Sequence, residues 1–332
     1  MVMRILVTGS AGHLGEALMD ALRADNRDAL GMDLKPSRLT DAVGSIADRE
    51  FVRRCMNGVT AVVHAATLHK PHVGTHSHQD FVDTNVTGTL ALLEEAVAAH
   101  VSSFVFTSTT STFGTALTPR AGDPAAWITE DVMPVPKNIY GVTKVAAEAL
   151  CELYHRTQGL ACLVLRTSRF FPEEDDHAPT REAYTGDNAK MNELLHRRVD
   201  IEDVVSAHLA ALERASSIGF GRYVISATTP LTPADLAALR ADAPGVVERL
   251  FPEYVEIYGR RGWRMFPSID RVYVNAKARD ELGWRPRHDF GTALARLAGG
   301  GHLASVTAKR IGVKGYHGDA FADGRYPVEQ GS

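Results

Sequence analysis

The sequence predicts an α/β fold on a doubly wound parallel sheet, and three observations carry the prediction. Short β-branched or apolar runs recur at 4–8, 28–32, 61–64, 103–107, 161–165 and 222–226. Amphipathic stretches separate most of them, and the order strand, helix, strand means a parallel sheet with right-handed crossovers. The first run opens into Thr8-Gly9-Ser10-Ala11-Gly12-His13-Leu14-Gly15, a glycine-rich turn that enters a helix.

Glycines at positions 9, 12 and 15 permit a tight turn, bring backbone N–H groups close to a pyrophosphate and let the helix of 13–24 pack on the strand. The second run ends in Gly31-Met32-Asp33, eighteen residues past Gly15. An acidic side chain there accepts hydrogen bonds from an adenosine ribose and repels a 2′-phosphate, which points to NAD over NADP. An ordinary turn aspartate is the alternative, and Lys35 and Arg38 stand near enough to soften the repulsion. The later strands alternate with helices predicted at 78–99, 138–157 and 201–215, the last reading Asp-Val-Val-Ser-Ala-His-Leu with its apolar side at helical spacing. Less regular segments and a glycine-rich tail interrupt the core instead of following it. The expected organisation is a core of 1–167 to which 199–227 and 270–297 return, and a smaller, interleaved C-terminal substrate lobe from 168–198, 228–269 and 298–332.

With 332 residues, 45% of them apolar, the chain can bury a sizeable core. Its net charge of −4, without a long basic run, gives no footprint for nucleic acid or an anionic membrane, so neither is an expected partner. Cys55, Cys151 and Cys162 are odd in number and widely spaced, which fits reduced thiols and a cytoplasmic location. No signal peptide or bilayer-spanning run is read in the sequence. His69, His72, His76 and His78 cluster without a sharp Cys/His signature, so no metal is expected; substrate contact or solvent exposure is.

Tyr140 and Lys144 stand four apart in Asn-Ile-Tyr-Gly-Val-Thr-Lys, which stacks both on one helix face. A free phenol keeps its proton at neutral pH, with a pKa near about 10, and an adjacent ammonium favours the phenolate and makes it a base. A solvated surface pair has the same spacing.

Together these residues resemble the extended short-chain dehydrogenase/reductases, the NAD-dependent epimerase/dehydratase family. The ordered motifs are Thr8-Gly9-x-x-Gly12-x-x-Gly15, Val63-His64-Ala65-Ala66, Asn85-Val-Thr-Gly-Thr89, Phe106-Thr107-Ser108-Thr109 through Phe113-Gly114, Tyr140-x-x-x-Lys144 and Lys277-Ala-Arg-Asp-Glu-Leu-Gly-Trp-Arg-Pro286. The resemblance implies a Rossmann-type sheet and NAD as cofactor. It implies Tyr140 as general acid/base, Lys144 lowering its pKa while bonding the nicotinamide ribose, and Thr109 orienting the reacting oxygen. Thr107, Ser108, Thr110 and Ser111 crowd the same run, and all are candidates for local backbone bonding. Gly9, Ala11, Gly12, His13, Leu14, Gly15, Asp33, Ser45, Ile46, His64, Ala65, Ala66, Asn85 and Thr107 would meet the cofactor. Ser45 stands where the family often has an aspartate. The resemblance also implies a homodimer through the helices starting near 78 and 138.

Thr110, Ser111, Arg166, Ser168 and Arg169 are the candidate substrate contacts, with Arg166 equally a structural partner at its strand end. Only 26 residues separate Pro172 from Val199, and they begin Glu-Glu-Asp-Asp, whose charge would repel a nucleotide sugar's pyrophosphate. Arg264-Met-Phe-Pro267 replaces an Arg-Pro-Gly-Asp turn common in nucleotide-sugar enzymes. The expected function is an NAD-dependent oxidoreductase that takes a hydride from a hydroxyl-bearing carbon of a sugar or sugar acid. The alternatives are a sugar or nucleotide-sugar epimerase and a non-catalytic NAD-binding regulatory protein.

Overall fold

Alternation within each strand sends successive side chains to opposite faces, and both faces here are apolar. In the computed structural model, which describes residues 3–175 and 177–314, seven parallel strands form the main sheet: β1 (Arg4–Thr8), β2 (Asp28–Asp33), β3 (Ala42–Val43), β4 (Ala61–His64), β5 (Ser103–Thr109), β7 (Cys162–Thr167) and β8 (Phe220–Ile225). Their spatial order is β3-β2-β1-β4-β5-β7-β8. The chain winds outward from β1 on one side and from β4 on the other, so a crevice opens at the carboxyl ends of these two neighbours.

Ile5, Val7, Val105, Leu163 and Leu165 face one way, onto α1 (His13–Ala24) and α8 (Ile201–Ile218). Leu6, Val62, Phe104, Phe106 and Val164 face the other, onto α2 (Arg49–Cys55), α4 (Gly88–Ala98) and α5 (Ile139–Gln158). Each such aliphatic or aromatic side chain, fully buried, contributes about 1.5–3 kcal/mol. The predicted helix over 78–99 is divided: α3 (His78–Phe81) passes through a wide π-type turn at Val82–Thr87 before α4. Asn138 caps α5, its side chain accepting from Gly141 N at 3.1 Å, and Gly159 ends the helix with φ +71°.

The lobe has its own apolar core. It draws on α7 (Gly186–Leu194), which follows the short α6 (Ala178–Ala183), and on α9 (Leu236–Ala241), α10 (Ala243–Leu250) and α11 (Tyr254–Arg261). Two short strands outside the main sheet, β6 (Ala126–Ile128) and β9 (Arg271–Tyr273), pair in parallel beside it. The segment predicted to return at 270–297 divides. α12 (Ala276–Glu281) and Trp284 pack on the sheet, whereas Phe290, Leu294 and Leu297 of α13 (Phe290–Ala298) fill the lobe core. The tail was expected with the lobe, yet α14 (Val306–Ile311) packs on α1 and α8 and buries Ile311 there. Positions 315–332 of that expectation lie outside the described residues. Among the described residues no helix is long and apolar enough to cross a membrane.

Candidate functional site

A cavity of about 1020 Å³ runs from the carboxyl ends of β1 and β2 to the lobe. At its inner end the glycine turn is folded as its spacing requires. Gly9 has φ +77°, and a Cβ there would meet Ala66 N at 2.8 Å. A Cβ on Gly15 would lie 1.9 Å from the Gly9 carbonyl oxygen. Gly12 caps α1 without a side-chain bond, so the first N–H groups of the helix point outward at its positive end. This cradle fits a pyrophosphate. Asp33 lies on the wall, accepting from Ala11 N at 3.0 Å and Lys35 N at 2.8 Å. Arg38 is drawn away by Glu16 and Asp20, leaving Lys35 as the cation on the wall beside Asp33. Ser45, Ile46, Ala65 and Ala66 continue the wall, and Ala11, His13 and Leu14 complete the turn's share of it.

Three residues expected to touch the cofactor, His64, Asn85 and Lys144, stand behind this wall instead. His64 is buried, with Nδ1 2.8 Å from Thr8 Oγ1 and Nε2 2.9 Å from Thr89 Oγ1. Burial, helped by Lys144, holds it neutral with its pKa well below the ordinary value. The Thr8 hydroxyl in turn accepts from Ala65 N and Ala66 N, so His64 shapes the wall through Thr8. Asn85, in the π-type turn, accepts from Leu68 N at 2.9 Å and donates to Leu68 O and to Thr143 Oγ1. It ties the loop after β4 to α5.

Thr109, at the end of β5, and Tyr140, in the first turn of α5, both line the cavity. Burial pushes the Tyr140 phenol up to about 12, while a side-chain hydrogen bond with Thr109 acts the other way. Lys144 donates to Thr107 O at 2.6 Å and lies 4.0 Å from the Phe106 ring centroid. Burial lowers its pKa to about 7 against the pull of Glu148. Burial thus outweighs the Thr109 hydrogen bond at the phenol and the attraction of Glu148 at the ammonium. Lys144 is 2% exposed and does not reach the cavity wall. The Thr107 hydroxyl is 2.8 Å from His208 Nε2, Ser108 donates to Glu148 at 2.6 Å, and Thr110 and Ser111 line the cavity beside Thr109.

At the lobe end Ser168 and Arg169 are on the wall, and Arg166 is not. Arg166 is 3% exposed and grips Glu148 with Nε and Nη2, the latter at 2.8 Å, so its structural reading replaces the substrate contact. Two members of the acidic run have partners: Asp175 is paired with Arg169, and Glu173 lies 2.7 Å from His13 Nε2. His69 and His72 line the cavity, His69 stacking on Phe171 with centroids 5.2 Å apart. Among the described residues no group of three His, Cys, Asp or Glu gathers to hold a metal. Sequence reasoning missed Glu193, Arg197, Tyr273 and Lys314, which also form the wall. The i, i+4 pair Glu193/Arg197 was a legible signal for a charged helix edge.

The chain is similar to several known proteins. Residues 5–226 match the model of the NAD dependent epimerase/dehydratase family. The dTDP-glucose 4,6-dehydratase of Streptomyces antibioticus is 30% identical, over 89% of this chain and 91% of its own length. The UDP-glucose 4-epimerase of Lactobacillus helveticus is 26% identical, over 86% and 93%. A short-chain dehydrogenase/reductase superfamily protein of Agrobacterium tumefaciens, solved with bound NAD, superimposes with a TM-score of 0.62 at 24% identity, over 92% of this chain and 97% of its own.

Proposed function

Because the chain belongs to the NAD dependent epimerase/dehydratase family, it is an enzyme with NAD as its cofactor, and we propose that it oxidises a hydroxyl-bearing carbon of a sugar-like substrate. The observation that carries this reading is that Thr109 and Tyr140 line the same cavity as the glycine cradle. Bound NAD supplies the hydride acceptor. Gly9 to Gly15 and Asp33 hold it. Thr109 orients the substrate hydroxyl, and Tyr140 Oη receives that hydroxyl's proton as the C–H bond breaks. Lys144, anchored on the Thr107 carbonyl, fixes the end of β5 against α5 and supplies positive charge behind the phenol when protonated.

Elimination of water, the reaction named for the dehydratase relative, needs a second acid/base beside the reacting carbons. The neighbours of Thr109 on the wall are hydroxyls, and the carboxylates that line the cavity, Asp33, Asp175 and Glu193, each already have a partner. This favours simple hydride removal. The relatives' other reaction, epimerisation, begins with the same step and then returns the hydride. NADH formation with free sugars, uronic acids and nucleotide sugars separates the two: accumulating NADH supports oxidation, and product epimer with tightly held NAD overturns it. Tyr140→Phe should slow turnover by about 10²–10⁴-fold with NAD still bound, and an unchanged rate would remove the base. α5 leaves Val142 49% and Leu153 40% exposed, and pairing of this face with a second copy is the proposed dimer, to be checked by light scattering.

A further inference from the structure

The lobe end of the cavity gathers three guanidiniums around Glu193 and carries two polar atoms with no hydrogen-bond partner among the described residues. Arg169, Arg197 and Arg198 converge on Glu193, with contacts of 3.7, 3.1 and 3.0 Å. Arg169 also holds Asp175. The cations are not equally committed. Arg198 is buried and also donates to Phe171 O, and nearby Lys190 donates to Pro172 O. Arg197 is different: its side chain is 39% exposed, it lines the cavity, and its Nε has no hydrogen-bond partner among the described residues. The Ser168 hydroxyl on the same cavity is 2% exposed and equally without a partner there. A buried hydroxyl left unpaired costs about 1–3 kcal/mol, so such atoms in a binding cavity mark where a ligand's polar atoms belong.

Building on the sugar-oxidation reading, we infer that the substrate is a monosaccharide bearing a compact anionic group, a carboxylate or a phosphate monoester, received by Arg197 with Ser168. Arg197 holds Glu193 through Nη2, its Nε lacks a partner among the described residues, and a guanidinium suits one such compact group. A nucleotide sugar's pyrophosphate would bring a more extended charge between Glu193 and Asp175, with Arg169 and Arg198 already occupied.

The test is calorimetric binding to the full chain with saturating NAD, in a Tyr140→Phe background so that turnover does not intrude. The probes are glucose, galactose and mannose, their uronates, their 6-phosphates, and UDP-glucose. At least one uronate or 6-phosphate should bind about tenfold to a hundredfold tighter than its neutral parent, the loss expected for one charged hydrogen bond. Whether the uronate or the 6-phosphate shows that margin identifies the anion. Arg197→Met should erase the margin, Arg197→Lys should keep part of it, and Ser168→Ala should reduce it in a chain whose ion pairs are intact. Equal binding of acids and parents, no binding by any acid, a margin that survives Arg197→Met, or tightest binding of UDP-glucose overturns the inference. The parent reading fails separately: selective acid binding without NADH formation by the unsubstituted enzyme sinks oxidation and leaves the anion site standing.

Discussion

Tyr140 and Lys144 show how far burial can invert a sequence expectation at the scale of one residue. Spacing alone promised an ammonium beside a phenol, yet the helix face that carries both is sealed against β5, with Lys144 2% exposed. A lysine held at about 7 in the folded chain and near its ordinary value when unfolded makes stability depend on pH. Between those two pKa values the unfolded chain binds more protons, so stability rises with pH across that window. Relative to Lys144→Met, the unsubstituted protein should gain about 2 kcal/mol between pH 7 and pH 9, measured by denaturant unfolding at both. A difference that stays flat, or shrinks, would mean that Lys144 is charged in the folded protein. Arg166 makes the opposite point. Its bidentate hold on Glu148 is buried on both sides, so Arg166→Ala, which leaves that carboxylate with only Ser108 and Arg222 beside it, should cost about 3 kcal/mol by the same measurement.

The elements most legible in sequence were those set by local rules. The helix over 13–24 and the first strand were placed because glycine turn, β-branched run and amphipathic period agree there. The division of 78–99 was not legible: the π-type turn exists so that Asn85 can reach both Leu68 and Thr143, contacts that are 17 and 58 positions away. The wall residues Glu193 and Arg197 escaped for a similar reason, since nothing local reveals that α7 ends beside β7. Tyr273 needed β9 to find β6, a pairing across more than a hundred positions. The glycine turn supports a contrast between two substitutions on one element. Gly15→Ala drives a Cβ to 1.9 Å from a backbone oxygen and should damage folding, seen as a large fall in melting temperature. Gly12→Ala meets only Gly9 O, at 3.2 Å, so the chain should fold while its Cβ intrudes on the cradle and weakens NAD binding. Equal effects of the two on melting temperature would contradict this division of labour.

For the whole molecule, the unexpected connection is the one that joins lobe, tail and cofactor cradle. His13 stands in the first turn of α1, and its ring meets Glu173 from the segment after β7 at 2.7 Å. Lys314 N, just past α14, lies 3.3 Å from His13 Nε2 and 3.2 Å from Glu173 Oε1, while its side chain pairs with Glu16 of the same helix. The tail reaches that point because α14 is fastened on the sheet layer: Ser305 donates to Asp200 at 2.6 Å, Thr307 to Glu202 at 3.0 Å, and Ile311 is buried against the core. Two chain segments distant in sequence thus meet over the turn that would hold the pyrophosphate. If that junction closes the cradle, loosening either segment should weaken cofactor binding without touching the proton-transfer residues. Ile311→Ala, which frees the helix, and Glu173→Gln, which removes the charge facing His13, should each raise the Kd for NAD several-fold at an unchanged Tyr140-dependent kcat. The two effects should not add, because both act through one junction. Independent, additive losses in NAD affinity would instead show that the segments contact the cofactor separately, and no loss in either would detach the tail from cofactor binding altogether.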